Sequence, residues 1–75
     1  MEIMVDNLKV KVEDRLPSKG QIAFFDNKLW KVSELWGSEI MHLERPIHQE
    51  SISLYGKDIF SAKKAMILTL QFTTE

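Results

Sequence analysis

Two histidines with glutamates close to them are the residues whose types come nearest to a chemical site. His42 and His48 stand six positions apart, and Glu44 and Glu50 each follow a histidine by two. Imidazole and carboxylate groups are zinc ligands, but compact motifs place their histidines on one helical face at a closer spacing, as in His-Glu-x-x-His. The sequence therefore favours ordinary surface histidines over a metal site, and we expect no cofactor.

Nucleophilic catalysis has little support in the chain. Such chemistry needs a base beside a Ser, Thr or Cys, and a third group that orients the base. The sequence has no Gly-x-Ser-x-Gly elbow, no Gly-rich phosphate loop and no Cys. Glu13, Asp14, Glu34 and Glu39 are interpreted as solvated charges at turns and strand ends. We therefore expect no enzymatic activity, no catalytic residue and no small-molecule substrate.

Composition and charge exclude further classes of protein. Apolar residues make up 44% and charged residues 28%, which is typical of a globular chain. The net charge of −1 lacks the basic excess of most nucleic-acid binders. No apolar run approaches the roughly 20 residues that span a bilayer, and the early Glu2 is unlike a secretory signal. We interpret residues 1–75, which begin with Met1, as a whole gene product that forms one small, soluble, cytoplasmic β domain without membrane contact.

The sequence predicts short β-strands, and these must position any functional site. The first two strands are predicted to form a hairpin. A two-residue turn at Asp6-Asn7 suits residues that tolerate the left-handed conformation. This register places six apolar side chains on one face, in the pairs Met1–Val12, Ile3–Val10 and Val5–Leu8, with Glu2 opposite Lys11 on the other face. One long strand with a bulge near Asp6 is the alternative.

The segment IAFFDNKLWKV, residues 22–32, predicts a second hairpin. A three-residue loop, Asp26-Asn27-Lys28, sorts the apolar residues best, because Phe24 then faces Trp30 and Phe25 faces Leu29. A two-residue loop would oppose Phe25 with Lys28. We therefore expect Phe24 and Trp30 in the core, and Phe25 and Leu29 on the opposite face of the sheet.

A type II′ turn at Gly37-Ser38 predicts the third hairpin. It gives the pairs Leu35–Ile40, Val32–Leu43 and Lys31–Glu44, with Trp36 beside the turn. Pro46 ends this strand because it cannot donate to a ladder. Residues 51–55 alternate like a half-buried strand, and 58–65 form either a short helical turn with Asp58 as N-cap or a loop. A last strand follows, with an apolar face of Met66, Leu68, Leu70 and Phe72.

These elements predict an all-β fold, either a compact antiparallel meander or a small SH3-like barrel of five to seven strands. Burying one face of each hairpin leaves a set of apolar side chains outside the core: Phe25, Leu29, Leu35, Trp36, Ile40 and Tyr55. We interpret them as a protein-binding surface, because aromatic residues anchor interfaces. Residues 46–65 folding over this face is the alternative.

The predicted function is that of a non-enzymatic protein that acts through protein–protein contact, as an adaptor, a small inhibitor or an assembly subunit. Its partner is another protein or a second copy of the chain in a homodimer. The alternative is a small-barrel nucleic-acid binder, because such proteins combine aromatic side chains with lysines. Its candidate residues are Phe25, Trp36, Tyr55, Lys9, Lys11, Lys28 and Lys31.

Overall fold

Seven antiparallel strands in one open sheet make up most of the chain that the structure describes. The computed structural model describes residues 1–69. Its strands are β1 Glu2–Val5, β2 Leu8–Glu13, β3 Ile22–Phe25, β4 Lys28–Trp36, β5 Ile40–Arg45, β6 Glu50–Tyr55 and β7 Lys63–Thr69. One 3₁₀ helix, Pro46–His48, joins β5 to β6, and another, Gly56–Ser61, joins β6 to β7.

The order of strands across the sheet is β1-β2-β7-β3-β4-β5-β6. The predicted all-β antiparallel fold is therefore confirmed, with β3 to β6 as a meander and β7 inserted between β2 and β3. Within residues 1–69, β1 and β6 are the two edges, so the sheet is open and does not close into the predicted SH3-like barrel. In the same range, no helix is both long and apolar enough to span a membrane.

The first hairpin has the predicted turn and register. Asp6 and Asn7 both have positive φ, 52° and 66°, as a type I′ turn requires. The pairs are Glu2–Lys11, Ile3–Val10, Met4–Lys9 and Val5–Leu8. Lys9 Nζ lies 3.4 Å from the Glu2 carboxylate, diagonally across the strands. Met1 is the exception to the predicted apolar face, because its side chain is exposed.

The second hairpin has a two-residue turn, so the predicted three-residue loop is wrong. Asp26 and Asn27 both have positive φ, 56° and 60°, like the first turn. The pairs are therefore Ile22–Lys31, Ala23–Trp30, Phe24–Leu29 and Phe25–Lys28. A shift of one residue exchanges the two faces of a strand, so Phe25 shares a face with Trp30, and Phe24 shares the other face with Leu29.

The third hairpin has a three-residue loop, Gly37-Ser38-Glu39, in place of the predicted two-residue turn, because Trp36 pairs with Ile40. Gly37 has φ 57°, and the N–H of Glu39 donates to the carbonyl of Trp36 at 3.1 Å. Glu39 stays unpaired, so the ladder pairs Leu35 with Met41 in place of the predicted Ile40. A bulge at Ser33 then restores the predicted pairs Val32–Leu43 and Lys31–Glu44.

Residues 46–69 contain the predicted strand β6 and a 3₁₀ helix in place of the N-capped turn. Tyr55 is the N-cap of this helix, and Asp58 lies within its first turn. In β7, Met66 pairs with Lys11 and is partly exposed, whereas Ala65 pairs with Val12 and is buried. The predicted apolar face of this strand is thus not its buried face. Leu70 and Phe72 lie outside the described residues.

The larger of two hydrophobic cores, here called the main core, packs between β3–β6 and the second 3₁₀ helix. Its fully or nearly buried residues are Ala23, Trp30, Val32, Met41, Leu43, Leu54, Ile59 and Ala62. Ile59 and Ala62 belong to the segment Gly56–Ala62, which covers one face of the sheet. At the end of this core, Trp30 donates from Nε1 to the carbonyl of Phe25 at 2.9 Å.

The smaller core, here called the hairpin core, lies on the opposite face of the same sheet. Its buried residues are Val5, Val10 and Ala65, with Ile3, Leu8, Val12, Ile22, Phe24 and Leu29 packed around them. The alternation along β3 links the two cores, because Ala23 belongs to the main core and Phe24 to the hairpin core. The half of the sheet that contains β4–β6 therefore has its core on one face, and the half that contains β1, β2 and β7 has its core on the opposite face.

Candidate functional site

The six residues predicted as a binding surface separate into two groups in the structure. Phe25 and Leu35 pack against the main core, and Leu29 packs against the hairpin core. Trp36, Ile40 and Tyr55 come together on three neighbouring strands, since Ile40 pairs with Trp36 on one side and with Tyr55 on the other. We call these three residues the aromatic row.

The aromatic row lies on the uncovered face of β4–β6. Directly paired residues share a face of the sheet and touch across strands that lie roughly 4.8 Å apart. Trp36 is 64% exposed and Tyr55 is 59% exposed, whereas Ile40 between them is half-buried. The row therefore presents two aromatic side chains to solvent on either side of an aliphatic one.

Backbone hydrogen bonds fix both ends of the aromatic row. The N–H of Glu39 donates to the carbonyl of Trp36, and the N–H of Gly56 donates to the carbonyl of Glu39, each at 3.1 Å. Gly37 and Gly56 both adopt positive φ, which glycine reaches without the steric cost of a Cβ. The backbone of the row is thus held by a turn and by the start of a 3₁₀ helix.

Polar side chains form the next two rows along the same face, here called the polar strip. The rows are Glu34–His42–Ser53 and Lys31–Glu44–Ser51. Ser53 Oγ is hydrogen-bonded to Nδ1 of His42, and Ser33 Oγ donates to the carbonyl of His42 at 3.3 Å. A depression of about 440 Å³ lies over the strip, because the serines are small. The only sequence signal for Ser51 and Ser53 is their alternation with Ile52 and Leu54, which predicts a strand but no site.

The row of Ser53, His42 and Glu34 contains the residue types of a nucleophilic site. A hydrolytic site also needs donors for the oxyanion. Strand β5 is paired on both sides, so its backbone N–H groups serve the ladder, whereas β6, which carries Ser53, is an edge of the sheet within residues 1–69. Glu34 is engaged by Lys19, whose Nζ lies 3.4 Å from the carboxylate. The hydrogen bond that the structure describes between side chains of this row is the one between Ser53 and His42.

The histidines considered as metal ligands lie in different elements. His42 is in β5 and bonds to Ser53, and His48 is in the first 3₁₀ helix. Among residues 1–69, no three His, Cys, Asp or Glu side chains come together in a way that could hold a metal ion. The arrangement around His42 therefore offers hydrogen-bonding groups rather than a coordination shell.

The four lysines of the nucleic-acid alternative do not surround the aromatic row. Lys9 pairs with Met4 on the face opposite the hairpin core, and Lys11 shares that face. Lys28 Nζ lies 3.6 Å from the Glu50 carboxylate and 5.9 Å from the centre of the Trp30 ring. Lys31 lies in the polar strip opposite Glu44. Glu34 and Glu39 are closer to Trp36 in the chain than any of these lysines.

Comparison of the chain with protein-family models, with curated proteins and with solved structures found no match.

Proposed function

We propose that this chain is a non-enzymatic protein-binding protein, and that the aromatic row is the centre of its contact surface. The observation that carries the proposal is the exposure of Trp36 and Tyr55 on strands whose core is complete on their other face. An adaptor, a small inhibitor and an assembly subunit would all use such a surface in the same way.

Large aromatic side chains gain the most free energy when they leave water. Burying apolar surface contributes about 25 cal/mol per Å², and large aromatic side chains supply the most area for the fewest rotatable bonds. Trp and Tyr are accordingly frequent among the residues that dominate binding energy. The folded chain leaves Trp36 and Tyr55 mostly in water, so a partner that covers them recovers this free energy.

The charges near the aromatic row favour a protein partner over a nucleic acid. Phosphate neutralisation by Lys and Arg dominates nucleic-acid affinity, whereas the charged residues nearest to Trp36 in the chain are Glu34 and Glu39. Both flank Trp36 within three positions. The polar strip adds no basic excess, since Lys31 faces Glu44 and Lys19 lies beside Glu34, so the surface suits a partner with apolar and polar side chains.

The test is an affinity capture from a lysate of the source organism, with and without nuclease. The tagged chain is compared with a Trp36→Ala, Tyr55→Ala double variant, and with Ile47→Ala as a matched control, because Ile47 is 92% exposed but lies in the first 3₁₀ helix. All three proteins are first checked for equal folding by circular dichroism and thermal unfolding.

We expect a stoichiometric protein that is retained by the native chain and by Ile47→Ala, survives nuclease and is lost from the double variant. Retention by the folded double variant would contradict the role of the aromatic row. A partner released by nuclease, or recovered DNA or RNA, would support the nucleic-acid alternative.

A further inference from the structure

Among residues 1–69, strand β6 is an edge that lacks the usual protection against pairing. Its six residues, Glu50–Tyr55, pair with β5 in one uninterrupted register, whereas the β4–β5 and β2–β7 ladders each contain a shift. Edges are normally blocked by Lys, Pro, bulges or short length, and β6 contains neither Lys nor Pro. The other edge, β1, has only four residues. A regular edge of this kind is a template for another strand.

We propose that β6 pairs antiparallel with β6 of a second copy of this chain, about a two-fold axis at Ser53. The proposal rests on the proposed function, because it names a partner for the surface that contains Tyr55. The two seven-stranded sheets then form one continuous sheet with the main cores on the same side. Homodimers with a two-fold axis are the commonest soluble oligomers.

The register follows from the faces of the sheet. When the two-fold axis is perpendicular to the sheet, the main cores of the two copies lie on the same side of the joined sheet. This symmetry requires that one residue of β6 pairs directly with the same residue of the other copy. Ser53 at the axis pairs Ser51 with Tyr55 of the other copy and Ile52 with Leu54 of the other copy. Leu54 at the axis would leave a shorter overlap, because the strand ends at Tyr55.

Charge favours the axis at Ser53 over an axis at Ile52. With Ile52 at the axis, Glu50 would face the buried, apolar Leu54 of the other copy. With Ser53 at the axis, Glu50 faces Gly56 of the other copy, next to Lys57. The segment Ser51–Tyr55 carries no charge, so this register opposes no like charges, which would destabilise a pair.

The same register covers side chains that the single chain leaves in contact with water. Ile52 is half-buried at the edge of the main core, and Leu54 of the other copy lies opposite it on that face. On the other face, Tyr55 of one copy lies beside Ser51 of the other, at the end of the polar strip, where Glu44 is the cross-strand neighbour of Ser51. A phenolic hydroxyl there meets a carboxylate that can accept its hydrogen bond.

The experiment places charges at the proposed axis and measures mass by sedimentation equilibrium. We expect the native chain to be a dimer whose fraction rises with concentration. Ser53→Lys and Ser53→Glu should each weaken self-association about tenfold or more, because two like charges then face each other. A mixture of the two variants should recover a one-to-one dimer. Folding of each variant is checked by circular dichroism, since Ser53 also bonds to His42.

Two controls make the result specific. Ser18→Lys changes an exposed serine in the loop before β3 and should leave the dimer intact. Ser51→Lys and Ser51→Glu should each self-associate more strongly than the matching Ser53 variant, because residue 51 faces the uncharged Tyr55 in this register. Equal weakening by the Ser51 and Ser53 variants would overturn the register.

A native chain that is monomeric at all concentrations, or Ser53 variants that are folded and still dimeric, would overturn the proposed dimer. If a strand of another protein occupies the β6 edge instead, the native chain is a monomer that captures this protein, and the Ser53→Lys variant does not capture it. Trp36→Ala separates the two proposals, since it leaves the β6 edge unchanged. If Trp36→Ala loses a captured partner, the proposed function holds whether the chain is a dimer or a monomer.

Discussion

The two halves of the sheet bury opposite faces, and they leave very different surfaces exposed. Beside the hairpin core, the uncovered face of β1 and β2 carries Glu2, Met4, Lys9 and Lys11, with an ion pair between Glu2 and Lys9. Beside the main core, the uncovered face of β4–β6 carries the aromatic row and the polar strip. The first surface mixes charged residues with exposed methionines, Met4 and, where β7 lies beside β2, Met66. The second carries two exposed aromatic side chains in one row, and this difference is the basis of the proposed function.

The two cores also differ in how they are closed. The second 3₁₀ helix covers the main core with Ile59 and Ala62, both fully buried. The hairpin core has Val10 as its only fully buried residue within 1–69, and most of its other members are half-buried. We infer that the main core supplies most of the stability, and that the aromatic row is carried by the more rigid half of the sheet.

Truncation of each core gives the largest expected effects and tests this ranking. Leu43→Ala in the main core should lower the free energy of unfolding by about 2–5 kcal/mol. Val10→Ala in the hairpin core removes fewer atoms, and the residues packed around Val10 are mostly half-buried, so we expect a loss of about 1–2 kcal/mol. Urea unfolding followed by circular dichroism measures both. A larger loss for Val10→Ala would reverse the ranking.

The Asp26-Asn27 turn decides which side chains enter each core, and its geometry predicts an intermediate effect. Asn27 has φ 60°, a left-handed conformation that costs most residues about 1–2 kcal/mol. Asn27→Val should therefore destabilise by about that amount, whereas Asn27→Gly should be neutral or slightly stabilising. Equal unfolding midpoints for the two variants would contradict the two-residue turn.

A smaller effect concerns the contact between the end of β2 and β7. Lys63 Nζ donates to Asp14 Oδ1 at 2.9 Å, and this bond together with the charge of Lys63 lowers the pKa of the Asp14 carboxyl below its ordinary value of 3.8. A lowered folded-state pKa contributes stability above the unfolded pKa, and this is lost as the pH falls through the folded pKa. Asp14→Asn should therefore be slightly less stable than the native chain at neutral pH and should lose less on acidification. An unchanged acid dependence would argue against this contact.

The two Asp-Asn turns explain which parts of the fold could be predicted from the sequence. At Asp6-Asn7 the apolar pattern selected the right register, because Glu2, Lys9 and Lys11 mark the solvent face. At Asp26-Asn27 both faces are apolar, since β3 contributes to both cores. Sorting by hydrophobicity then favoured a three-residue loop, although the turn residues themselves indicated two. Turn chemistry was the more reliable guide there.

The candidate site was predicted in part for a related reason. Trp36 and Tyr55 were identified as surface residues next to turns, and they are exposed. Leu35 is predicted on the outer face but packs against the main core. The unpaired Glu39 shifts the β4–β5 ladder by one residue, and the bulge at Ser33 shifts it back. Only the pairs between these two positions, such as Leu35–Met41, therefore differ from the prediction. The serines of the polar strip were overlooked because small polar residues carry little signal before strand neighbours are known.

The central claim is that the aromatic row serves contact and contributes little to the core. The direct measurement is the free energy of unfolding of the Trp36→Ala, Tyr55→Ala double variant, with Met4→Ala as a control from the exposed face of the other half of the sheet. Exposed substitutions typically change stability by about 0.5 kcal/mol each, so we predict a total loss within about 1 kcal/mol. A loss of about 3 kcal/mol or more, as core truncation gives, would mean that the row is part of the core and would contradict the account.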